Sequence, residues 1–300
     1  MARKLKDPFY SSFRLQKRIK TSKPKLPSVK ALFQQTLAIL TNNKRFFLVY
    51  TILYGILSFI FIQSSASSIN LSEAQRVISE SVGGRFPSSL LLYSGLITNS
   101  IRINSQIAAW YQFVLILVFS LAVIYGLRHM YGEEARRVTV KESLYKGMTP
   151  LVPIVLVLGV VALQLLPLSL GSSVYATVIN SGLAVTAVER VFWLIFLLLL
   201  ALLTIYMISS SVFALFIVTL PNMTPMRALR AARELVRFRR LEVIRKIVLL
   251  PVVLLIVLGL LVVPFIAFLP VVAQAVFLVA SALVLPVALT YLYNLYRKML

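Results

Sequence analysis

Cysteine is absent from the 300 residues. That excludes disulfides, cysteine-ligated zinc and a thiol nucleophile. Histidine occurs once, at His129, so a Ser-His pair would have to use that residue. Acidic side chains number nine against 31 lysines and arginines, a formal net charge of +22. No G-x-x-x-x-G-K-[ST], H-E-x-x-H or G-x-S-x-G pattern is present, so the phosphate-cradle, zinc-hydrolase and serine-hydrolase signatures are all missing. The expectation is a protein that is not an enzyme, with no cofactor and no metal. Charge of either sign is scarce at 13% of residues, where a soluble domain has roughly one quarter.

Apolar residues fill the space, at 59% of the chain with a mean hydropathy of +0.90. Several runs approach the ~20 residues that cross a bilayer core, and they do not alternate as barrel strands do. The fold class is therefore all-α, a polytopic membrane protein. The runs place six transmembrane helices at about 46–62, 108–127, 151–168, 191–220, 247–269 and 271–293. Only Pro270 separates the last two, which predicts a tight hairpin.

The basic residues sort with these spans. Of the 31, 27 lie in 1–45, 128–150, 221–246 and 297–300, and four lie in 64–107 and 169–190. By the positive-inside rule the rich segments are cytoplasmic, which puts both termini inside. Residues 1–30 hold no apolar core, so no cleaved signal peptide is expected and the first span acts as the anchor. Residues 1–27 are basic and proline-containing and read as a disordered cytoplasmic tail. The charge sits at membrane edges and no nucleic-acid motif accompanies it, so no nucleic-acid partner is expected.

Three segments with a capping-type start precede spans one, three and five: PSVKALFQQ at 27, TVKESLYKG at 139 and TPMRALRAA at 224. Val29, Leu32, Phe33, Thr36 and Leu40 share one helical face in the first. Thr139 is placed to cap the second through Met148. The reading is three units, each a cytoplasmic amphipathic helix followed by a two-span hairpin. The second-to-last span and the third also share Val-Leu-Gly, at 257–259 and 157–159.

The third segment is the most pronounced. Thr224 and Pro225 form a helix start. Arg230, Arg233, Arg237 and Arg240 then recur at spacings of three and four, which gives one basic face. Ala228, Ala231, Ala232, Leu235 and Phe238 lie opposite. Such a helix suits a membrane surface, where each cation near an anionic leaflet contributes about 1 kcal/mol. These four arginines are the candidate contact for anionic phospholipid headgroups or a membrane-protein partner.

The remaining segments are less explicit. Asn70 to Glu73 reads as a helix start in the largest external segment, with a stop at Gly83-Gly84. The piece Leu90–Ile97 is too short to span and is expected to be interfacial or re-entrant. Gln112, Gln164 and Gln274 are the amides within spans and would bond across helices. Ser209, Ser210 and Ser211 should face other helices. Glu189 and Arg190 read as interfacial capping at the outer end of span four, and His129 as an interfacial residue.

The stretch 224–240 followed by its long span resembles an element of bacterial six-span proteins, the membrane domain attached to some glycerophosphodiester phosphodiesterases and related integral membrane families. The resemblance covers about 45 residues. The phosphodiesterase chemistry of such fusions belongs to a soluble barrel domain that is not in this chain, so no catalytic residue carries over. It implies a bacterial plasma-membrane location and a lipid-related or accessory role. A non-enzymatic scaffold is the first expectation, and a permease or lipid-moving transporter is the alternative.

Overall fold

The computed structural model describes residues 26–61, 71–82, 84–101, 106–131, 138–221 and 223–300. The expected tail, 1–27, lies almost wholly outside the described residues, as does the proposed cap at Asn70. Among the described residues there are helices and no strands. They are α1 Val29–Asn42, α2 Lys44–Phe61, α3 Leu71–Val82, α4 Arg85–Ile101, α5 Gln106–Met130, α6 Val140–Gly147, α7 Leu151–Asn180, α8 Ala187–Ile217, α9 Pro225–Val236, α10 Arg240–Phe268 and α11 Pro270–Met299. Six of them, α2, α5, α7, α8, α10 and α11, are long and apolar enough to cross a membrane. The architecture is that of a helical multi-pass membrane protein.

The helix starts follow local chemistry. Ser28 accepts a hydrogen bond from the Ala31 amide at the start of α1, and Thr139 accepts from the Glu142 amide at the start of α6. Thr186 and Glu189 form a reciprocal capping box at the start of α8, and Arg190 Nε donates to the Ala184 carbonyl at 3.2 Å. Glu189 and Arg190 thus act on the backbone of their own turn. At α9, Thr224 occupies the cap position but its hydroxyl makes no capping bond; Pro225 supplies the fixed φ at the first position.

The short helices α1, α6 and α9 precede α2, α7 and α10, and all three pack at one end of the bundle, here termed the basic end. Each docks on the second helix of a different hairpin: α6 on α5, α9 on α8, and α1 on α11. The three units are therefore strapped in a closed ring. The face expected for α1 is the face it buries: Leu32 and Thr36 are fully covered, and Val29, Phe33 and Leu40 partly so. Thr36 is tolerated there because its hydroxyl donates to the Leu32 carbonyl at 2.8 Å. Asn294 Nδ2 donates to Gln35 Oε1 at 3.3 Å, and Phe33 lies against Tyr291 with ring centroids 4.8 Å apart. The larger hydrophobic core, including Tyr50, Leu121, Ile124, Phe213 and Leu295, sits towards this end.

A second, smaller core lies at the far end. The helix α4 packs on α10, burying Leu92 and Leu96 against Val262 and Ile266. Tyr93 Oη donates to the Leu255 carbonyl at 2.8 Å, roughly 20 Å along α10 from its far end at 1.5 Å per residue. A Cβ at Gly259 would sit 3.0 Å from that ring, so the glycine lets Tyr93 lie on the α10 backbone. Gly159, the counterpart in the shared Val-Leu-Gly, has nothing within 4 Å. The segment Leu90–Ile97 is therefore tucked against the bundle. The helix α3 lies over α4 and α11, with Gln75 Nε2 donating to the Ala267 carbonyl at 3.3 Å.

Two expected boundaries move. The outer loop foreseen from residue 169 is helical as far as Asn180, so α7 has 30 residues with Pro167 inside it. The polar run that suggested a loop bonds its own helix instead: Ser169, Ser172, Ser173, Thr177 and Ser181 donate to carbonyls three or four residues back. The second change is at α10, which begins at Arg240 and not near Ile247, so its first two turns are charged. The α7–α8 hairpin is closely paired but joins the rest of the bundle mainly at the basic end. None of α8 from Ala187 to Leu203 is buried, whereas Thr204, Ser209, Ser210, Ser211, Phe213 and Phe216 are.

Candidate functional site: an arginine face and a three-helix clasp

The helix α9 is fixed to the protein by small side chains. Ala228, Ala232 and Val236 recur every four residues and are fully buried against the core, with Leu229, Ala231 and Leu235 beside them. Small residues at this spacing let two helix backbones approach closely. The opposite face carries Arg227, Arg230, Arg233 and Arg237, all exposed. None of the four makes an ion pair among the described residues, where the pairs are Arg76–Glu80, Lys146–Glu142 and Lys246–Glu242.

Arg240 does not belong to this face. The chain turns at Arg237 and Phe238, and Arg240 is the first residue of α10. Its guanidinium lies 4.4 Å from the ring centroid of Tyr206 on α8, a cation–π stack. Phe238, expected on the apolar side, is 67% exposed on the turn, with Arg237 at 5.7 Å from its ring. A continued 3.6-residue period would have kept both on the helix; the turn ends that period at Val236.

A second constellation joins the three hairpins. The C-terminal ends of α5, α8 and α11 meet at the basic end. Arg128 Nη1 donates to the Thr219 carbonyl just past α8 at 3.0 Å, and Arg297 Nη1 donates to the Tyr131 carbonyl just past α5 at 3.0 Å. Each arginine thus meets the negative end of a neighbouring helix dipole. The Arg297 guanidinium also lies 4.5 Å from the Tyr131 ring. Tyr131, Phe216, Tyr293 and Tyr296 stack in the space between, with centroids 5.5 to 6.0 Å apart. Arg128, Tyr131, Tyr293 and Arg297 stand at the basic ends of spans two and six, where position in the sequence marks them only as interfacial. The repeated aromatic-plus-arginine endings of spans two and six were the available signal.

Burial pushes the Tyr131 hydroxyl up to about 12 from the ordinary 10.0, while the Arg297 charge pulls it down and Tyr293 pushes it up. A tyrosine raised in the folded state contributes stability that is present below pH 10 and lost as pH rises through about 12. Arg297→Met is expected to remove the carbonyl bond and the cation, costing about 1.5–3 kcal/mol and moving the Tyr131 ionisation still higher. Thermal melting and tyrosinate absorbance against a Tyr131→Phe reference check both. An unchanged melting temperature would show that the clasp holds nothing.

Within the spans the polar groups are dispersed. Ser209, Ser210 and Ser211 are buried, yet they donate to the Tyr206 and Met207 carbonyls of their own helix. The amides do not bridge helices: Gln274 is exposed, and the Oε1 atoms of Gln112 and Gln164 are buried without a partner among the described residues. The hydroxyls of Tyr50 and Thr204 are likewise buried and unpartnered. His129 Nδ1 lies 3.0 Å from the Tyr125 carbonyl and its ring 4.2 Å from that of Tyr125. No group of three His, Asp or Glu able to hold a metal occurs among the described residues.

Compared with known protein families, with curated proteins and with solved structures, the chain matches none of them.

Proposed function

We propose that the protein is a non-enzymatic bacterial plasma-membrane scaffold or accessory protein that gathers anionic phospholipid through the arginine face of α9. A membrane-protein partner with an acidic surface is a second occupant of that face. The basic end and both termini are then cytoplasmic, in keeping with 27 of 31 cations lying in segments of one parity. The observation that carries the reading is α9 itself. Its Ala228–Ala232–Val236 face is locked against the bundle, and its exposed arginines have no protein ion-pair partner among the described residues. A basic face held rigidly at the membrane boundary attracts lipid phosphate. The resemblance of 224–269 to the membrane domain attached to some glycerophosphodiester phosphodiesterases is in keeping with a lipid-related role.

A lipid-moving or permease role is the second reading. It is favoured by the α7–α8 hairpin, joined to the bundle mainly at one end, and by the unpartnered Gln164 and Thr204 oxygens within it. The test is lipid mass spectrometry on protein purified in mild detergent. Enrichment of anionic lipid over the source membrane is expected. A lipid composition equal to that of the source membrane would sink the first reading.

A further inference from the structure

The turn between α9 and α10 carries a second surface, which shares Arg237 with the arginine face. It forms an open groove of about 430 Å³ lined by Arg237, Phe238, Arg239, Arg240, Leu241 and Glu242. Three arginines and one glutamate contribute to its lining, and Glu242 Oε1 is engaged 3.7 Å from the buried Lys246 Nζ. The site is thus net cationic. Its rim is apolar: Phe238 is 67% exposed and Leu241 84%. Cations flanked by bare hydrophobic side chains fit an amphiphile better than a free ion or an acidic peptide.

Arg240 extends the site onto a neighbouring helix. It leans on Tyr206, and from Tyr206 an exposed stripe continues along α8 at three- and four-residue steps through Leu203, Leu199 and Ile195. Headgroup-binding cations and a chain-binding track therefore meet at one residue. We propose that the elbow binds the phosphate of one anionic glycerophospholipid, with an acyl chain along the Tyr206–Ile195 stripe of α8. This rests on the reading that the basic end meets anionic lipid. It adds one defined site, distinct from the general attraction of Arg227, Arg230 and Arg233.

The test is native mass spectrometry of the full chain loaded with mixed phosphatidylcholine and phosphatidylglycerol, at low and high salt. The wild type is expected to keep one phosphatidylglycerol at high salt. Arg239→Gln with Arg240→Gln should lower that retention at least about tenfold, the loss of one or more charge-assisted hydrogen bonds. Arg239→Lys with Arg240→Lys should retain part of it, because the charge remains without the planar fork. Arg227→Gln with Arg230→Gln and Arg233→Gln should keep the single lipid and lose only the salt-sensitive enrichment. Full retention in the glutamine pair overturns the site, as does displacement of the lipid by millimolar inorganic phosphate. If the glutamine pair does not fold, Tyr206→Leu decides: its retention should fall several-fold, and an unchanged value overturns the proposal. Low-salt enrichment with no lipid kept at high salt in the wild type overturns the site alone, whereas no preference for phosphatidylglycerol at either salt overturns the broader reading with it.

Discussion

Converting Arg227, Arg230 and Arg233 together to glutamine should erase most of the protein's preference for anionic over zwitterionic lipid at low ionic strength. Each cation close to an anionic leaflet contributes about 1 kcal/mol, so three contribute about 3 kcal/mol, or more than a hundredfold in relative association. The full value applies because the three side chains are exposed and make no ion pair among the described residues. Salt at physiological strength screens charges beyond about 8 Å, so the effect should shrink as salt is added. Folding should be untouched, since α9 is anchored by Ala228, Ala232 and Val236 on the other side. The measurement is the enrichment of phosphatidylglycerol around the protein in mixed-lipid nanodiscs across a salt series. Equal enrichment in wild type and variant would mean that α9 is not the lipid contact. Loss of the folded state would mean that the arginines are structural.

Gly126→Leu should part α2 from α5. A Cβ at Gly126 would fall 2.7 Å from Phe46 Cζ and within 3.3 Å of both neighbouring ring atoms. Phe46 has no room to withdraw: it is buried and packed edge-on against Phe47, with centroids 5.3 Å apart. Overpacking of this kind costs about 3 kcal/mol, and the leucine adds further atoms beyond the Cβ. Phe46→Ala alone removes a buried ring and costs roughly 3–5 kcal/mol. The two together should cost less than their sum, because each relieves the strain or fills the space left by the other. Gly159→Leu is the control, with nothing within 4 Å, and should be neutral or slightly stabilising. Strict additivity of Gly126→Leu and Phe46→Ala in thermal melting would show that the contact is not the cause.

How far the sequence goes can be judged at α9. The cap position, the proline and the buried Ala-Leu face all follow from spacing, because a helix repeats every 3.6 residues and one face must be covered. Arg240 does not follow. The turn at Arg237 and Phe238 contains neither glycine nor proline, so nothing local announces that the period ends. The extension of α7 to Asn180 was hidden for a related reason. Serine and threonine suit loops, but they also bond the carbonyls of their own helix, and composition does not separate the two. The pairing within the clasp was out of reach, because the aromatic-plus-arginine endings mark its members but not which meets which. Arg128 meets Thr219, 91 residues away, and Arg297 meets Tyr131, 166 residues away. Periodicity reports which face is covered and is silent on what covers it.

The strapping of α1 onto α11 sets an order of events during synthesis. Of the described helices α1 is made before the six long ones, and its partner α11 after the other five; Gln35 and Asn294 are 259 residues apart. Until α11 is made, the Leu32–Thr36 face of α1 lacks the helix it mainly packs on. The ring of units closes only when the C-terminal helix arrives. A chain that stops at the end of α10 would keep five of the six long apolar helices yet leave that ring open. Formation of α11 is thereby coupled to closure of the ring, and without it the Leu32–Thr36 face of α1 loses the helix it packs on.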